Sequence, residues 1–315
     1  MRNTYIDNIK GIMIFFVVLG HIISSIVLHN EGHSHIYDAV VLWIYYFHMP
    51  VFFFISGYLS KNVSHCREIA FTNTYIPFFL VNVMLCIIYH MKVNPFIYPA
   101  GAAWFLLTLF FYRIMLKDLI RIKKILILSI VLAMLVTYLG KNPTFGNFCI
   151  FLPFFICGVN LPEIQIYAKG NKVYKKIACV LLVLSFIIVL AMLKKFDITF
   201  YSPFYLSYAE IGFSVFYKQL LVYFIAMLFI ILWLYAVDEK QHFYTNWGKY
   251  SITIYVFHAM ILPYMKYIPK NFNGKFMGAV TVVISIAICI VFGNRYIEKL
   301  YKGAINIVTK AIIGG

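Results

Sequence analysis

Charge is scarce in this sequence. Asp, Glu, Lys and Arg make up 12% of its 315 residues, and hydrophobic residues 63%. Soluble domains carry about 25% charge, so a soluble fold is excluded. Acidic residues are scarcer still: 11, against 27 Lys and Arg, for a net charge of +16. The six cysteines (Cys66, Cys86, Cys149, Cys157, Cys179 and Cys289) are scattered, mostly in apolar runs. That pattern argues against a disulfide framework and against zinc, and no metal is expected. Internal repeats, low-complexity tracts and a separate soluble domain are lacking, so residues 1–315 read as one membrane-embedded domain. No matched pair of broken segments marks two halves, as an inverted-repeat transporter would show. The first apolar run is too long for a signal h-region and no A-x-A-like site follows it; a retained first span is expected.

What is present is a succession of apolar runs, the mark of an all-α polytopic integral membrane protein. Ten spans are expected, at about 10–28, 37–59, 75–91, 99–116, 124–139, 146–161, 174–193, 218–237, 249–267 and 275–293. The sixth is short and holds Pro153, so it is tilted, broken or packed inside the bundle. With the N-terminus in the cytoplasm, 19 Lys and Arg fall on the inner side and 8 on the outer. This asymmetry predicts both termini inside. The positive charge is loop charge that sets topology and meets anionic lipid rather than nucleic acid. The first outer loop, with His29, Glu31, His33 and His35, carries no Lys or Arg. It reads as solvated, because no regular spacing fixes a metal geometry. The segment 194–217, with Glu210, is rich in Tyr, Phe, Ser and Pro and has the character of an interfacial or re-entrant lid.

The first span holds the most informative pair. Lys10 and His21 are eleven residues apart, which is three helical turns, one helix face and roughly 16 Å of rise. Lys10 then lies at a membrane surface and His21 near the middle of a hydrocarbon core roughly 30 Å thick. Two readings follow. In one, the pair is a two-point site: a cation for a phosphate-bearing donor and an imidazole for proton transfer. In the other, Lys10 snorkels to the interface or pairs with Asp7, and His21 bonds a neighbouring helix.

Four blocks carry a family resemblance. Asp7-Asn-Ile-Lys10-Gly with Val17-Val-Leu-Gly20-His21 resembles the opening of the membrane acyltransferase 3 family, in its fucose 4-O-acetylase-like branch. Phe47-His48-Met49-Pro50 through Ser56-Gly57-Tyr58 resembles that family's second-helix signature. Trp104-Phe-Leu-Leu and Gly248-Lys-Tyr-Ser251 through Tyr255-Val-Phe-His258 resemble later blocks, so the likeness spans nearly the whole chain. The resemblance implies transfer of an acyl group, usually acetyl from acetyl-CoA, to a hydroxyl of a cell-surface or capsular glycan or a lipid-linked precursor. It implies a bacterial plasma-membrane setting, His21 as the catalytic residue and Lys10 as a donor contact. The chain departs from the family in two places. Lys10 stands where many members have Arg, which keeps the charge and loses the bidentate fork. An Arg-rich motif before the third span is reduced to Lys61 and Arg67.

Lys10, Arg67 and Arg113 are the expected donor-binding cations, with the nucleotide near the Arg113–Lys124 cluster. For His48 the readings are a second cavity imidazole or a ring that satisfies backbone freed by Pro50. Ser56-Gly57 reads as a close-packing point. Ser56, Tyr58 and a backbone N–H near Gly57 are the candidates for oxyanion stabilisation. Trp104 reads as core or interface filling, and His258 as packing or cavity lining. The rival functions are a glycan or lipid transporter or exporter, with His21 as proton relay, and a scaffold for polysaccharide synthesis.

Overall fold

The computed structural model of the chain describes residues 3–27, 34–92, 94–139, 143–164, 167, 172–196, 214–267 and 274–313; no strand occurs among them. Thirteen α-helices follow in order among the described residues: α1 Thr4–Ile26, α2 His35–Leu59, α3 Val63–Glu68, α4 Ile76–Ile88, α5 Trp104–Leu119, α6 Ile125–Leu139, α7 Pro143–Asn160, α8 Lys172–Phe196, α9 Ser214–Ala236, α10 Thr245–Lys249, α11 Ser251–Ile261, α12 Gly274–Phe292 and α13 Arg295–Ile313. A π-helical turn, Phe71–Tyr75, leads into α4. His29, Glu31, His33, Glu210 and most of the expected 194–217 lid lie outside the described residues.

Among the described residues, five helical stretches are long and apolar enough to cross a membrane: Thr4–Ile26, His35–Leu59, Phe71–Ile88, Lys172–Leu193 and Phe216–Ala236. Phe276–Phe292 and Arg295–Ala311 make a sixth only if the pair, bent by 65°, is one span. The other expected spans are shorter helices, among them Ile125–Tyr138, Phe145–Asn160 and Ser251–Met265. By length and composition the described residues give five apolar windows, or six with the bent pair. The stretch Lys172–Leu193 has only 17% of its apolar window buried. Val180, Leu184, Ile187 and Ile188 of α8 are exposed, a surface that only hydrocarbon tolerates at this extent. The protein is an integral membrane protein.

The helix around Pro153 is packed inside the bundle, the third of the expected alternatives. Residues 149–156 are all buried. Pro153 has no N–H for the Cys149 carbonyl. The flanking carbonyls are covered by tyrosines from other helices: Tyr112 of α5 donates to Phe148 O at 2.5 Å and Tyr223 of α9 to Ile150 O at 2.9 Å. Helix α7 crosses α2 at two glycines. A Cβ on Gly57 would sit 2.0 Å from Phe155 O, and one on Gly158 would sit 1.9 Å from Phe54 O. Gly57 is thus a close-packing point, and small residues let the backbones touch.

The start of α1 is tied to the connector that follows α9. Tyr5 donates its hydroxyl to Leu234 O. The buried Asn8 amide donates to Asp238 O at 2.8 Å and Lys240 O at 2.7 Å, and its Oδ1 accepts from Thr245 at 2.5 Å. Asp238 in turn holds Lys175 at 2.5 Å and His242 at 2.6 Å. Burial alone would raise the Asp238 carboxyl, but the hydrogen bonds from Lys175 and His242 outweigh it and hold the group at about 2. Next along α1, a Cβ on Gly11 would lie 2.3 Å from Tyr244 O, and one on Gly248 would lie 1.7 Å from Asp7 O.

Gly248→Ala places a methyl group inside backbone atoms that cannot rotate away. It is expected to destabilise by about 3 kcal/mol, the upper end of ordinary overpacking. Gly303→Ala on α13 meets nothing within 4 Å and should be neutral or slightly stabilising. Melting temperatures of the purified variants in detergent check the pair; equal values would remove the α1–α10 contact from its structural role.

Candidate active site

The α1–α10 contact places Lys10 beside Lys249 at one end of the bundle. Between them opens a cavity of about 440 Å³. Its walls come from α1, the π-turn, α5, the 249–253 segment and α13. Four cations line it: Lys10, Arg113, Lys249 and Lys302. Glu298 also lines it and pairs with Lys302 at 2.8 Å; Asp7 pairs with Lys10 at 3.1 Å. Four cations against two carboxylates leave a surplus of two positive charges. Thr72 and Asn73 of the π-turn add short polar side chains, and such turns recur at functional sites. Among the described residues, Arg113 Nε and the Tyr301 hydroxyl are buried in this lining without a hydrogen-bond partner. Unmet buried donors are costly, and here they face a space that suits an anion.

Two helices lead away from this cavity side by side. Helix α1 carries Lys10 at the cavity and His21 three turns further; α11 carries Ser251 to Thr253 at the cavity and His258 about 10 Å further along its axis. They bring two imidazoles together. The rings of His21 and His258 stand edge to face at 86°, with centroids 5.4 Å apart. His21 is half-buried and His258 buried. Neither ring nitrogen of His258 meets a side-chain partner among the described residues; its nearest acceptors are the backbone carbonyls of Ile254 and Tyr255 on its own helix. Gly20 lets α2 approach at this level: a Cβ there would meet the Ile44 and Tyr45 side chains at 3.3 Å. Tyr45 then lies between His21, at 6.3 Å, and His48, at 5.0 Å.

His48 is buried, with Nδ1 2.8 Å from Ile44 O. A carbonyl only accepts, so Nδ1 carries the proton and Nε2 the lone pair in the neutral ring. The bond runs to Ile44, one helical turn back. The carbonyl that Pro50 leaves unpaired is that of Tyr46, so His48 does not repair the proline break. Among the described residues no three His, Cys, Asp or Glu side chains gather as a metal site requires.

The remaining expected residues fall elsewhere. Arg67 is exposed on α3 and outside the cavity lining, as are Lys117, Arg121, Lys123 and Lys124, because α5 turns only Arg113 inward. Tyr58 is held at the far end of α2, where its hydroxyl accepts from Ile164 N at 3.5 Å and Lys61 covers its ring at 4.3 Å. The carbonyl of Ser56 accepts from the Ser60 hydroxyl at 2.7 Å. Trp104 stacks on Phe151 at 5.3 Å, which is core filling. Its neighbour Ala102 accepts the hydroxyl of Tyr255, whose ring abuts His258 at 5.3 Å. In the sequence Lys249 and Lys302 are two of the inner-side charges that set topology, and nothing there distinguishes Tyr301. The signal for Lys249 stood inside the Gly248-Lys-Tyr-Ser block; nothing in the sequence tied α13 to Lys10.

Comparison with known proteins agrees with the geometry. No solved structure matches the chain. The nodulation protein NolL of Sinorhizobium fredii (strain NBRC 101917 / NGR234) is 39% identical over 72 residues, which are 22% of this chain. That match spans 19% of the relative's own length. The family model of an acyltransferase domain matches residues 3–293, a range that holds Lys10, His21, His48, Arg113, Lys249 and His258. By that match, over nearly its whole length, the chain belongs to this acyltransferase family.

Proposed function

We propose that this protein is a membrane O-acyltransferase that moves an acyl group, acetyl above all, from acyl-CoA to a hydroxyl of a cell-surface or capsular glycan or its lipid-linked precursor. The observation that carries the reading is the placement of His21 and Lys10 on one helix, with Lys10 in a cationic cavity and His21 against a second imidazole. CoA is polyanionic and extended. Its phosphates suit the cation surplus around Lys10, Arg113 and Lys249, and its thiol arm suits the path along α1 and α11 towards His21.

His21 takes the proton of the acceptor hydroxyl, which is a poor nucleophile until deprotonated. The oxygen bonds the acyl carbon, the carbon–sulfur bond breaks, and the proton on His21 passes to the departing thiolate. His258, edge to face with His21, offers a ring N–H towards the place where the carbonyl oxygen gathers charge, whereas Tyr58 is held at the far end of α2 by Ile164 N and Lys61. The setting that goes with this reading is a bacterial plasma membrane, with ten crossings in which the short buried helices count as spans, and both termini in the cytoplasm. The donor then enters from the side that holds the Lys-rich loops.

Three outcomes test it. His21→Gln keeps size and some hydrogen bonding but cannot act as the base. Glycan acylation at matched membrane levels should fall roughly 10²–10⁴-fold; near-full activity would make the imidazole structural. Lys10→Ala should raise the apparent KM for acyl-CoA about tenfold or more, and Lys10→Arg should keep much of the activity. An unchanged KM in Lys10→Ala would remove Lys10 from donor binding. Reporter fusions at His33 and Lys310 should report opposite sides of the membrane, and a shared side would overturn the topology.

A further inference from the structure

The family match ends at residue 293, yet one wall of the cationic cavity lies beyond it. That wall is α13. Gly293 and Asn294 set it apart from α12: the Asn294 side chain accepts from Tyr296 N at 2.9 Å and Ile297 N at 3.1 Å, an N-cap that starts a new helix after the 65° bend. In the new direction α13 forms part of the cavity wall. Glu298, Tyr301, Lys302, Ile305 and Asn306 fall three or four residues apart and so share a face, and all five line the cavity. Ile305 is buried, while Leu300 and Ile307 point away and are exposed.

We propose that α13 is the outer half of the donor site, and that Lys302 and Tyr301 bind a phosphate at the nucleotide end of acyl-CoA. The proposal rests on the acyl-CoA reading above. Lys302 has a side chain 66% exposed and is held towards the cavity by Glu298 at 2.8 Å. A phosphate can take a share of its three donors without displacing that carboxylate. The Tyr301 hydroxyl is buried without a partner among the described residues, and so is Nε of Arg113, another residue of the same lining. A phosphate that reaches this part of the lining gives each of them an acceptor. Because α13 lines the cavity together with Lys10 and His21 lies three turns further along α1, the end of the donor that α13 meets is the nucleotide rather than the thioester.

The test is binding of CoA, 3′-dephospho-CoA and pantetheine to the full-length protein in nanodiscs containing anionic lipid, by isothermal titration. The wild type should bind CoA far more tightly than pantetheine. Lys302→Ala should lower that preference about tenfold, the usual worth of one charge-assisted contact, and Lys302→Glu should lower it further. Tyr301→Phe should lower it about threefold, and the comparison with 3′-dephospho-CoA reports which phosphate is held. Lys302 is exposed, so its variants should keep the wild-type melting temperature. If Lys10→Ala abolishes the preference while the Lys302 and Tyr301 variants keep it, the α13 proposal falls and the donor reading stands. If the wild type shows no preference for CoA over pantetheine, the donor reading fails and takes the α13 proposal with it. If the variants weaken all three ligands alike, and only in discs with anionic lipid, α13 seats the protein on the membrane surface and binds no donor.

Discussion

Everything at the proposed site hangs on the contact between α1 and α10, where the chain allows no side chain. Gly248 lies so close to the backbone of α1 that a Cβ would come within 1.7 Å of Asp7 O and 2.7 Å of Gly11 N. This contact joins two parts of the sequence more than 230 residues apart. It sets Lys249 beside Lys10, and it starts α11 at the height from which His258 reaches His21. The Asn8 network reinforces it by using both amide protons and the carbonyl oxygen of one buried side chain. A buried amide with all its hydrogen bonds matched is hard to replace.

The site is divided by depth. At one end, cations gather around a cavity and two buried donors lack partners. Further in, three imidazoles and a tyrosine form a cluster with no metal-like convergence. Separation of this kind suits a donor with a charged head and a reactive tail. It gives affinity and chemistry to different residues, so that losses in KM and in kcat should fall on different positions. Further along α2, past His48, the reciprocal glycines of α2 and α7 fix the two helices against each other.

Much of this was legible in the chain. The scarcity of charge and the long apolar runs fixed a helical membrane protein, since no other use of such a composition avoids exposed apolar surface in water. The eleven-residue step from Lys10 to His21 fixed a shared helix face, because helical period is local. The blocks at 7–21, 47–58 and 248–258 pointed to the family. The span count was less legible. Hydropathy counts apolar runs and cannot tell a helix facing lipid from one enclosed by its neighbours, and the short helix α7, with residues 149–156 all buried, is of the enclosed kind.

Only the tertiary structure decided which charges meet. Lys10, Arg113, Lys249 and Lys302 come from four helices, and Arg67, equally basic and expected beside them, is turned to the surface. Sequence gives each cation its charge and its distance from a membrane boundary; it does not give the rotation of one helix against another, which is set by glycine contacts and side-chain packing. The same holds for His258, whose partnership with His21 depends on where α10 rests on α1, and for α13, whose role depends on the bend at Asn294. What the residues settled alone was the chemistry available: imidazoles in hydrocarbon and amines at its edge. The packing of α1 against α10, α11 and α13 settled which of them face one another, because contact between distant segments is a property of the assembled bundle.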